Sequence, residues 1–156
     1  MSALKLSVLV PVFNEERIVK KALQQLVEVK LLEAVTIEII VVDDGSSDQT
    51  VQEIESFMKE APDSDVRLEK HKINKGKGAA LHTGIAAASG DYIVVQDADM
   101  EYDPNEFNIL LEPILNGRAD VVYGSRFMGG RPHRILFFWH SLGNQFLTFL
   151  SNMFTN

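Results

Sequence analysis

Four acidic residues follow the apolar run Tyr92–Val95, which predicts a buried strand: Asp97, Asp99, Glu101 and Asp103. Side chains alternate along extended backbone, so we expect Asp97 and Asp99 on the same side of the strand end. Oxygen donors of this kind favour a hard cation such as Mg²⁺ or Mn²⁺. The cluster therefore indicates a metal site at the end of a strand.

The alternative is that these acids are solvated turn residues or helix caps. That role suits Asp103, because an Asp before Pro104 with Glu106 three residues later is typical of a helix N-terminus. Asp97 and Asp99 have no comparable structural task, and gathering acids in one place requires a compensating positive charge. Metal binding is the interpretation that the pair favours, and a solvated turn remains the alternative.

The composition narrows the class of protein. The chain has 156 residues, of which 46% are hydrophobic, and this suits one globular domain with a core. The absence of cysteine excludes disulfides and thiolate zinc sites. The net charge of −7 argues against a nucleic-acid-binding protein. No apolar run reaches the ~20 residues that span a bilayer, and no signal-peptide pattern is visible, so we expect a cytoplasmic protein.

Strand and helix patterns alternate along the chain. Strands are predicted at Leu6–Val10, Ile37–Val42, Val66–Leu68, Tyr92–Val95 and Ala119–Tyr123, and Ile37–Val42 is expected to be an apolar strand buried on both faces. Helices are predicted after Asn14, after Ser46 or Ser47, after the loop Lys72–Gly78, and from Pro104 to Asn116. This alternation predicts an α/β fold with a mostly parallel sheet and helices on both faces. Ligands of such sheets bind beyond the carboxyl ends of the strands, where the polar residues 11–15, 43–48, 97–101 and 124–126 stand.

The C-terminal tail differs in character from the rest of the chain. No acid follows Asp120, whereas arginines and histidines are frequent and a stripe of apolar residues from Ile135 to Met153 has helical spacing. The tail is either a core helix or dimer contact, or a helix at a membrane interface with the preceding arginines at the level of the lipid phosphates. Periodicity alone favours the first of these.

Five short motifs occur in order and are spread along most of the chain: Val10–Glu16, Val41–Asp48, Asn74–Gly78, Asp97–Asp99 and Gly124–Arg126. Together they resemble the family 2 inverting glycosyltransferases of GT-A fold, and among these the polyprenyl-phosphate sugar synthases. The resemblance implies a Rossmann-like, mostly parallel GT-A sheet that is incomplete at the C-terminus. It also implies a nucleotide-sugar-binding core at residues 1–130 and an amphipathic helical tail at residues 131–156, on the acceptor and membrane side.

The resemblance implies a role for each motif. The nucleotide-binding residues would be Pro11, Phe13, Glu15, Val42, Asp44, Lys77, Asp97 and Ala98. The metal, Mg²⁺ or Mn²⁺, would be held by Asp97, Asp99 and Glu101. The catalytic residues would be Asp97, Asp99 and Arg126, and the acceptor phosphate would meet Arg126, Arg131, Arg134 and His140. On its own residues, the Asn74–Gly78 loop lacks the spacing of a Walker A motif, and it is either a phosphate contact or an ordinary solvated helix start.

The implied reaction is transfer of a hexose from a UDP- or GDP-hexose to a polyprenyl phosphate, by a protein held peripherally on the inner face of the membrane. In that context the interfacial helix becomes the preferred interpretation of the tail. Members of the family continue beyond the point at which this chain ends, so we expect it to be the donor-binding half of a longer, C-terminally truncated enzyme. The alternatives are a non-catalytic nucleotide-sugar-binding module and a fragment that forms a homodimer through its C-terminal helix.

Overall fold

The computed structural model describes residues 4–32 and 35–124, and in them strands and helices alternate as predicted. The strands are β1 (Leu4–Val12), β2 (Val35–Asp43), β3 (Val66–Lys70) and β4 (Tyr92–Val95). The helices are α1 (Val19–Val27), α2 (Thr50–Glu60), α3 (Lys77–Ala87) and α4 (Phe107–Leu115), and a 3₁₀ turn (Pro104–Glu106) leads into α4. The strand order is β3-β2-β1-β4 and all pairs are parallel, which confirms the predicted α/β fold.

The sheet is covered on both faces, as expected. On one face, alternate residues of β1 such as Val8 and Val10 pack with Leu23 of α1 and Phe57 of α2. On the other face, Leu9, Ile40 and Val42 pack against Ala80 of α3. Helix α3 lies very close to the sheet, because a Cβ atom at Gly84 would come within 3.2 Å of the Leu9 side chain. The two layers of helices fix the strand ends that form the site.

Strand β2 is buried on both faces but is not wholly apolar. Glu38 lies in the middle of the strand with no exposed surface, opposite Ser7 of β1. Its carboxylate accepts hydrogen bonds from Ser7 Oγ at 2.5 Å and from Ser89 N at 2.6 Å. A charged residue can be buried here because it is fully hydrogen-bonded and paired.

Strand β4 corrects the prediction of a buried strand before the acids. Within the described residues it is an edge of the four-stranded sheet, and Ile93 and Val95 are 45% and 46% exposed. Tyr92 and Val94 alternate with them and pack against the apolar core. Among the described residues, α3 packs on β1 and β2, and the face of β4 that carries Ile93 and Val95 has no helix against it.

Two predicted helix caps are wrong. Helix α1 begins at Val19, and Asn14 instead has a φ of 57° and accepts a hydrogen bond from Ser47 N through its side chain. Helix α2 begins at Thr50, and Ser46 Oγ accepts from Asn14 N instead of capping that helix. Both side chains join the loop after β1 to the loop after β2, a use that the local sequence does not show. The Asp103 cap is confirmed, since its side chain accepts from Asn105 N.

The strand predicted at Ala119–Tyr123 is also wrong, because residues 119–123 have no strand structure. An apolar run becomes a strand only where a neighbour completes its hydrogen bonds, and this run pairs with none of the described strands. Val121 and Tyr123 are instead 65% and 89% exposed.

The predictions for the tail lie outside the described residues. These are the domain boundary at residue 130, the helical stripe, and the roles of Arg126, Arg131, Arg134 and His140, and all of them stay predictions. In the part of the chain that the structure describes, no helix has the length and apolar character needed to cross a membrane.

Candidate functional site

A pocket of about 350 Å³ opens at the carboxyl ends of β1, β2 and β4. It lies where the chain order reverses, since β1 is followed by β2 on one side and has β4 on its other side. Parallel sheets leave a crevice at such a point, because the connections on either side run in opposite directions. The pocket is lined by Pro11, Val12, Phe13, Glu15, Asp44, Asn74, Gly76, Lys77, Ala80, Asp97, Ala98 and Asp99.

Asp44 is the most heavily hydrogen-bonded side chain of the pocket. One carboxylate oxygen accepts from Lys75 N at 2.9 Å, and the other accepts from Gly76 N at 2.7 Å. The first oxygen also lies 2.7 Å from Nδ1 of His71. Burial alone would raise the pKa of Asp44, but these hydrogen bonds outweigh it and lower the pKa. Asp44 is therefore ionised at neutral pH although it is only 4% exposed.

Gly45 brings the turn after β2 against the loop before α3. Its φ is +75°, and a Cβ atom there would lie 2.7 Å from the Ile73 carbonyl carbon and 2.8 Å from Asn74 N. Real Cβ atoms do not approach backbone so closely, so only glycine fits this position. The turn and the loop thus touch directly beside Asp44.

Asp97 and Lys77 form an ion pair at the mouth of the pocket. Lys77 Nζ lies 2.6 Å and 2.8 Å from the two carboxylate oxygens of Asp97. Lys77 is the first residue of α3, and Asp97 follows β4 after Gln96. Both side chains are partly exposed, so the pair contributes only about 0–1 kcal/mol to stability. A ligand that binds either group can separate them at little cost.

The acids around Asp99 produce a negative field. Burial raises the pKa of Glu15, and the charges of Asp99 and Asp48 raise it further. Asp99 Oδ1 also accepts from Glu101 N at 2.9 Å, which shapes the turn in which Met100 has a φ of 56°. Glu15 and Asp99 line the same pocket, so a cation there would relieve the repulsion between them.

Comparison of the sequence with models of known protein families gives a match over most of the chain. The model of the family described as glycosyl transferase family 2 matches residues 7–149. The chain belongs to glycosyl transferase family 2. This confirms the resemblance found in the five motifs, and the parallel sheet is the one expected of a GT-A glycosyltransferase.

Several proteins of known name or solved structure are similar to this chain in sequence. A dolichol-phosphate mannosyltransferase of Pyrococcus furiosus is 34% identical over 127 residues, which are 81% of this chain and 34% of that protein. A dolichyl-phosphate beta-glucosyltransferase of Dictyostelium discoideum is 34% identical over 131 residues, 78% of this chain and 39% of that protein. The solved structure of the mannosyltransferase PcManGT from Pyrobaculum calidifontis, in complex with GDP-Man and Mn²⁺, has a TM-score of 0.60 at 27% identity, and covers 69% of this chain and 32% of that one. The chain thus spans about a third of the length of the proteins that it matches.

The residues present suit a divalent cation bound together with a diphosphate. Asp97 and Asp99 both line the pocket and supply only oxygen donors, which Mg²⁺ and Mn²⁺ prefer. Within residues 4–32 and 35–124, no three His, Asp or Glu side chains converge in a metal-binding arrangement. A family 2 site of this kind would therefore complete the metal's coordination with phosphate oxygens and water, as Mg²⁺ sites commonly do. Glu101 as a third ligand stays a prediction.

The structure brings most of the predicted family 2 site together. Seven of the eight predicted nucleotide-binding residues line the pocket: Pro11, Phe13, Glu15, Asp44, Lys77, Asp97 and Ala98. The eighth, Val42, is 1% exposed and lies beneath the pocket, in the apolar layer under Ala80. Arg126 and the other residues predicted to meet the acceptor phosphate lie outside the described part of the chain.

Sequence reasoning missed His71 and Thr83. The ring of His71 joins the two, with Nδ1 at 2.7 Å from Asp44 Oδ1 and Nε2 at 2.8 Å from Thr83 Oγ1 of α3. One signal could have found His71, because it follows β3 directly and so stands at the same edge of the sheet as the other polar groups. Nothing in the local sequence points to Thr83.

Proposed function

We propose that this chain is the donor-binding part of a glycosyltransferase that moves a hexose from a nucleotide sugar, UDP- or GDP-hexose, to a polyprenyl phosphate. The observation that carries the proposal is the pocket, which gathers the hydrogen-bonded carboxylate of Asp44, the exposed ion pair of Lys77 and Asp97, and Asp99 at the ends of three strands. Family membership and the names of the matched relatives support the same reaction.

The two sides of the pocket suit the two parts of a nucleotide sugar. On the side of β1 and β2, Pro11, Phe13 and Asp44 offer an apolar surface and a hydrogen-bonding carboxylate, which suits a base and its ribose. On the side of β4 and α3, Lys77 and the two aspartates suit a diphosphate and its metal. The nucleotide would therefore lie across the end of β1, with its phosphates toward β4.

The chain's own residues mainly position charge. Asp97 and Asp99 would hold Mg²⁺ or Mn²⁺, and the bound metal would neutralise the charge that develops on the leaving nucleoside diphosphate. Lys77 would leave Asp97 and donate to a phosphate oxygen, since its exposed ion pair is weak. The acceptor phosphate is already an anion, so orientation of donor and acceptor contributes more than removal of a proton.

The acceptor side of the proposal depends on the tail. Arg126, Arg131, Arg134 and His140 would bind the acceptor phosphate, and the apolar stripe would lie at the inner face of the membrane. The distribution of charge along the sequence supports this placement, because the basic tail, which would attract anionic lipid, follows a domain whose net charge is negative. A homodimer through the same stripe would be a second use of that surface.

Calorimetry of UDP and GDP binding, with Mn²⁺ and with chelator, tests the donor site. We expect the wild-type chain to bind one of the two diphosphates at least tenfold more tightly with Mn²⁺. Asp99→Asn should remove most of that gain, because a neutral amide oxygen replaces a charged oxygen ligand of the metal. Asp63→Asn, an exposed acid after α2, is the charge-matched control and should bind like wild type.

Equal affinity in chelator and in Mn²⁺ would contradict the metal site. Transfer of labelled hexose to polyprenyl phosphate in vesicles then separates a transferase from a binding module. Flotation of the same chain with anionic vesicles, together with sedimentation, tests the membrane contact and the dimer.

A further inference from the structure

The side of the pocket that holds the loop before α3 contains a buried chain of polar contacts. It runs from Thr83 of α3 through the ring of His71 to Asp44, and from Asp44 to the backbone of Lys75 and Gly76. The side chains of His71 and Asp44 are 7% and 5% exposed, so these contacts are shielded from water. Shielded hydrogen bonds to a charged group are stronger and more directional than exposed ones.

We infer that His71 is a positioning residue for the phosphate side of the nucleotide site, acting through Asp44 on the loop that carries Lys77. The inference rests on the proposed function, because it assigns His71 to the binding of the same nucleoside diphosphate. His71 is not among the residues that line the pocket, and in the described part of the chain it hydrogen-bonds to the lining residue Asp44.

A backbone hydrogen bond to β2 holds the main chain of His71 in place. Its N–H donates to the carbonyl oxygen of Asp43 at 2.9 Å, which continues the pairing of β3 with β2 by one residue. The ring therefore starts from the sheet and reaches both Asp44 and α3. Asp44 accepts only, so Nδ1 carries the proton that it donates to the carboxylate, and Nε2 meets the hydroxyl of Thr83.

Asp44 transmits this position to the loop. Its two oxygens bind two successive backbone N–H groups, those of Lys75 and Gly76. Gly76 has a φ of 89°, and the next residue is Lys77, the first of α3. A rotation of the Asp44 carboxylate would release both N–H groups, and the first turn of α3, from which Lys77 extends toward the phosphate side, would lose these two backbone contacts.

The arrangement predicts which part of the ligand senses His71. His71 hydrogen-bonds to Asp44, which borders the base side together with Pro11 and Phe13. The Asp44 carboxylate binds the backbone N–H groups of the two residues that precede Lys77, and Lys77 faces the diphosphate side. Loss of the imidazole should therefore weaken binding of a nucleoside diphosphate more than binding of the nucleoside alone. A residue that merely supported the core would weaken both alike.

The experiment compares His71→Ala, His71→Asn and Thr83→Val in the full chain. Asn places an amide N–H near the position of Nδ1 and so keeps the donor to Asp44, while Thr83→Val removes only the far contact. Calorimetry with Mn²⁺ measures affinity for the nucleoside diphosphate and for its nucleoside, and amide hydrogen exchange measures protection of Lys75 and Gly76. The matched control is His82→Ala, an exposed histidine on the same helix as Thr83.

We expect His71→Ala to lower the affinity for nucleoside diphosphate about tenfold and the affinity for nucleoside by a smaller factor, because Asp44 also borders the base side of the pocket. Protection of the Lys75 and Gly76 amides should fall, His71→Asn should recover most of both, Thr83→Val should lie between, and His82→Ala should match wild type. If His71→Ala does not fold, the Asn and Val variants carry the same comparison.

Three results would overturn the inference. They are unchanged amide protection in the variants, equal losses for nucleoside and diphosphate, and a His71→Asn variant no better than Ala. A wild-type chain that binds no nucleoside diphosphate overturns the proposed function as well, which separates the two failures.

Discussion

Two buried acids, one within β2 and one directly after it, hydrogen-bond to the segments at the two ends of helix α3. Glu38 lies inside β2 and accepts from the backbone and hydroxyl of Ser89, just after the helix. Asp44 directly follows β2 and accepts from Lys75 and Gly76, just before it. Strand β2 and the residue that follows it thus supply one buried carboxylate to each end of the same helix.

The partners of the two acids differ in kind. Glu38 is paired with the cations Lys5 and Arg67 at 2.9 Å and 2.8 Å, and Ser7 completes its shell. Asp44 has no lysine or arginine among its described partners, and it is held by two backbone N–H groups and His71. Glu38 is not among the residues that line the site pocket, whereas Asp44 lines it. A neutralised buried acid is a structural anchor, whereas an acid held mainly by backbone dipoles keeps negative charge available to a ligand.

The largest expected effect is at the structural end. Glu38→Leu leaves the Ser7 hydroxyl and the backbone N–H and hydroxyl of Ser89 without their acceptor. Each unpaired buried donor costs about 1–3 kcal/mol, so the free energy of unfolding should fall by about 3–5 kcal/mol. Urea unfolding measures this change. The affinity of the folded fraction for nucleoside diphosphate should stay within about twofold of wild type.

The control for that variant is Glu55→Ala, which removes an exposed acid paired with Lys70. It should change the free energy of unfolding by less than about 1 kcal/mol. A Glu38→Leu variant that is stable but binds no nucleotide would mean that the two ends of α3 are not separate in function.

The second prediction concerns the stability of the fold at low pH. Burial alone would raise the pKa of Glu38, but its hydrogen bonds from Ser7, Lys5 and Ser89 lower that pKa to about 2, from an ordinary value of 4.5. Because the folded-state pKa is the lower one, Glu38 stabilises the fold above pH 4.5, and this is lost as the pH falls from 4.5 toward 2. The loss should be about 3 kcal/mol.

Urea unfolding at a series of pH values measures that slope. Glu38→Gln has no proton to bind at this position, so its slope below pH 4.5 should be shallower than that of wild type. The slope should not vanish, since the pKa values of Asp44 and Asp48 are also lowered. Identical slopes for the two proteins would contradict the ionised state of Glu38.

The smallest effect is expected at the binding end. Lys77→Met removes an exposed ion pair, so the free energy of unfolding should change by less than about 1 kcal/mol. Affinity for nucleoside diphosphate should fall about tenfold, because one charge-assisted contact is lost. The control is Lys72→Met, which removes an exposed lysine from the loop that precedes α3. A large loss of stability with unchanged affinity would reverse the roles assigned to the two ends.

The elements with strong local signals could be predicted from the sequence. The bounds of β4 match the run Tyr92–Val95, and the four motifs that fall in described residues reach one edge of the sheet because parallel strands end there. The family could be named because five separate motifs occur in the right order. These signals depend on neighbours in sequence, or on a rule of the whole fold.

The errors arise where side chains bind distant parts of the chain. Asn14 and Ser46 have the composition of helix caps, yet they bind each other's loops across 32 residues of sequence. Glu38 breaks an apolar run and is buried all the same, because its cations come from β1 and β3. His71 has no motif of its own, and its role depends on a helix that begins six residues later. Long-range partners of this kind leave no local pattern in the sequence.

Gly45 makes two loops of the site inseparable. A Cβ atom there would meet the backbone of Ile73 and Asn74, so the turn after β2 has the shape that the loop before α3 leaves for it. Anyone who transplants the Asn74–Lys77 segment from another family member must therefore bring residues 44–46 with it. Insertions in either loop are constrained in the same way, so the natural unit of exchange between relatives is the pair of loops, although 28 residues of chain lie between Gly45 and Asn74.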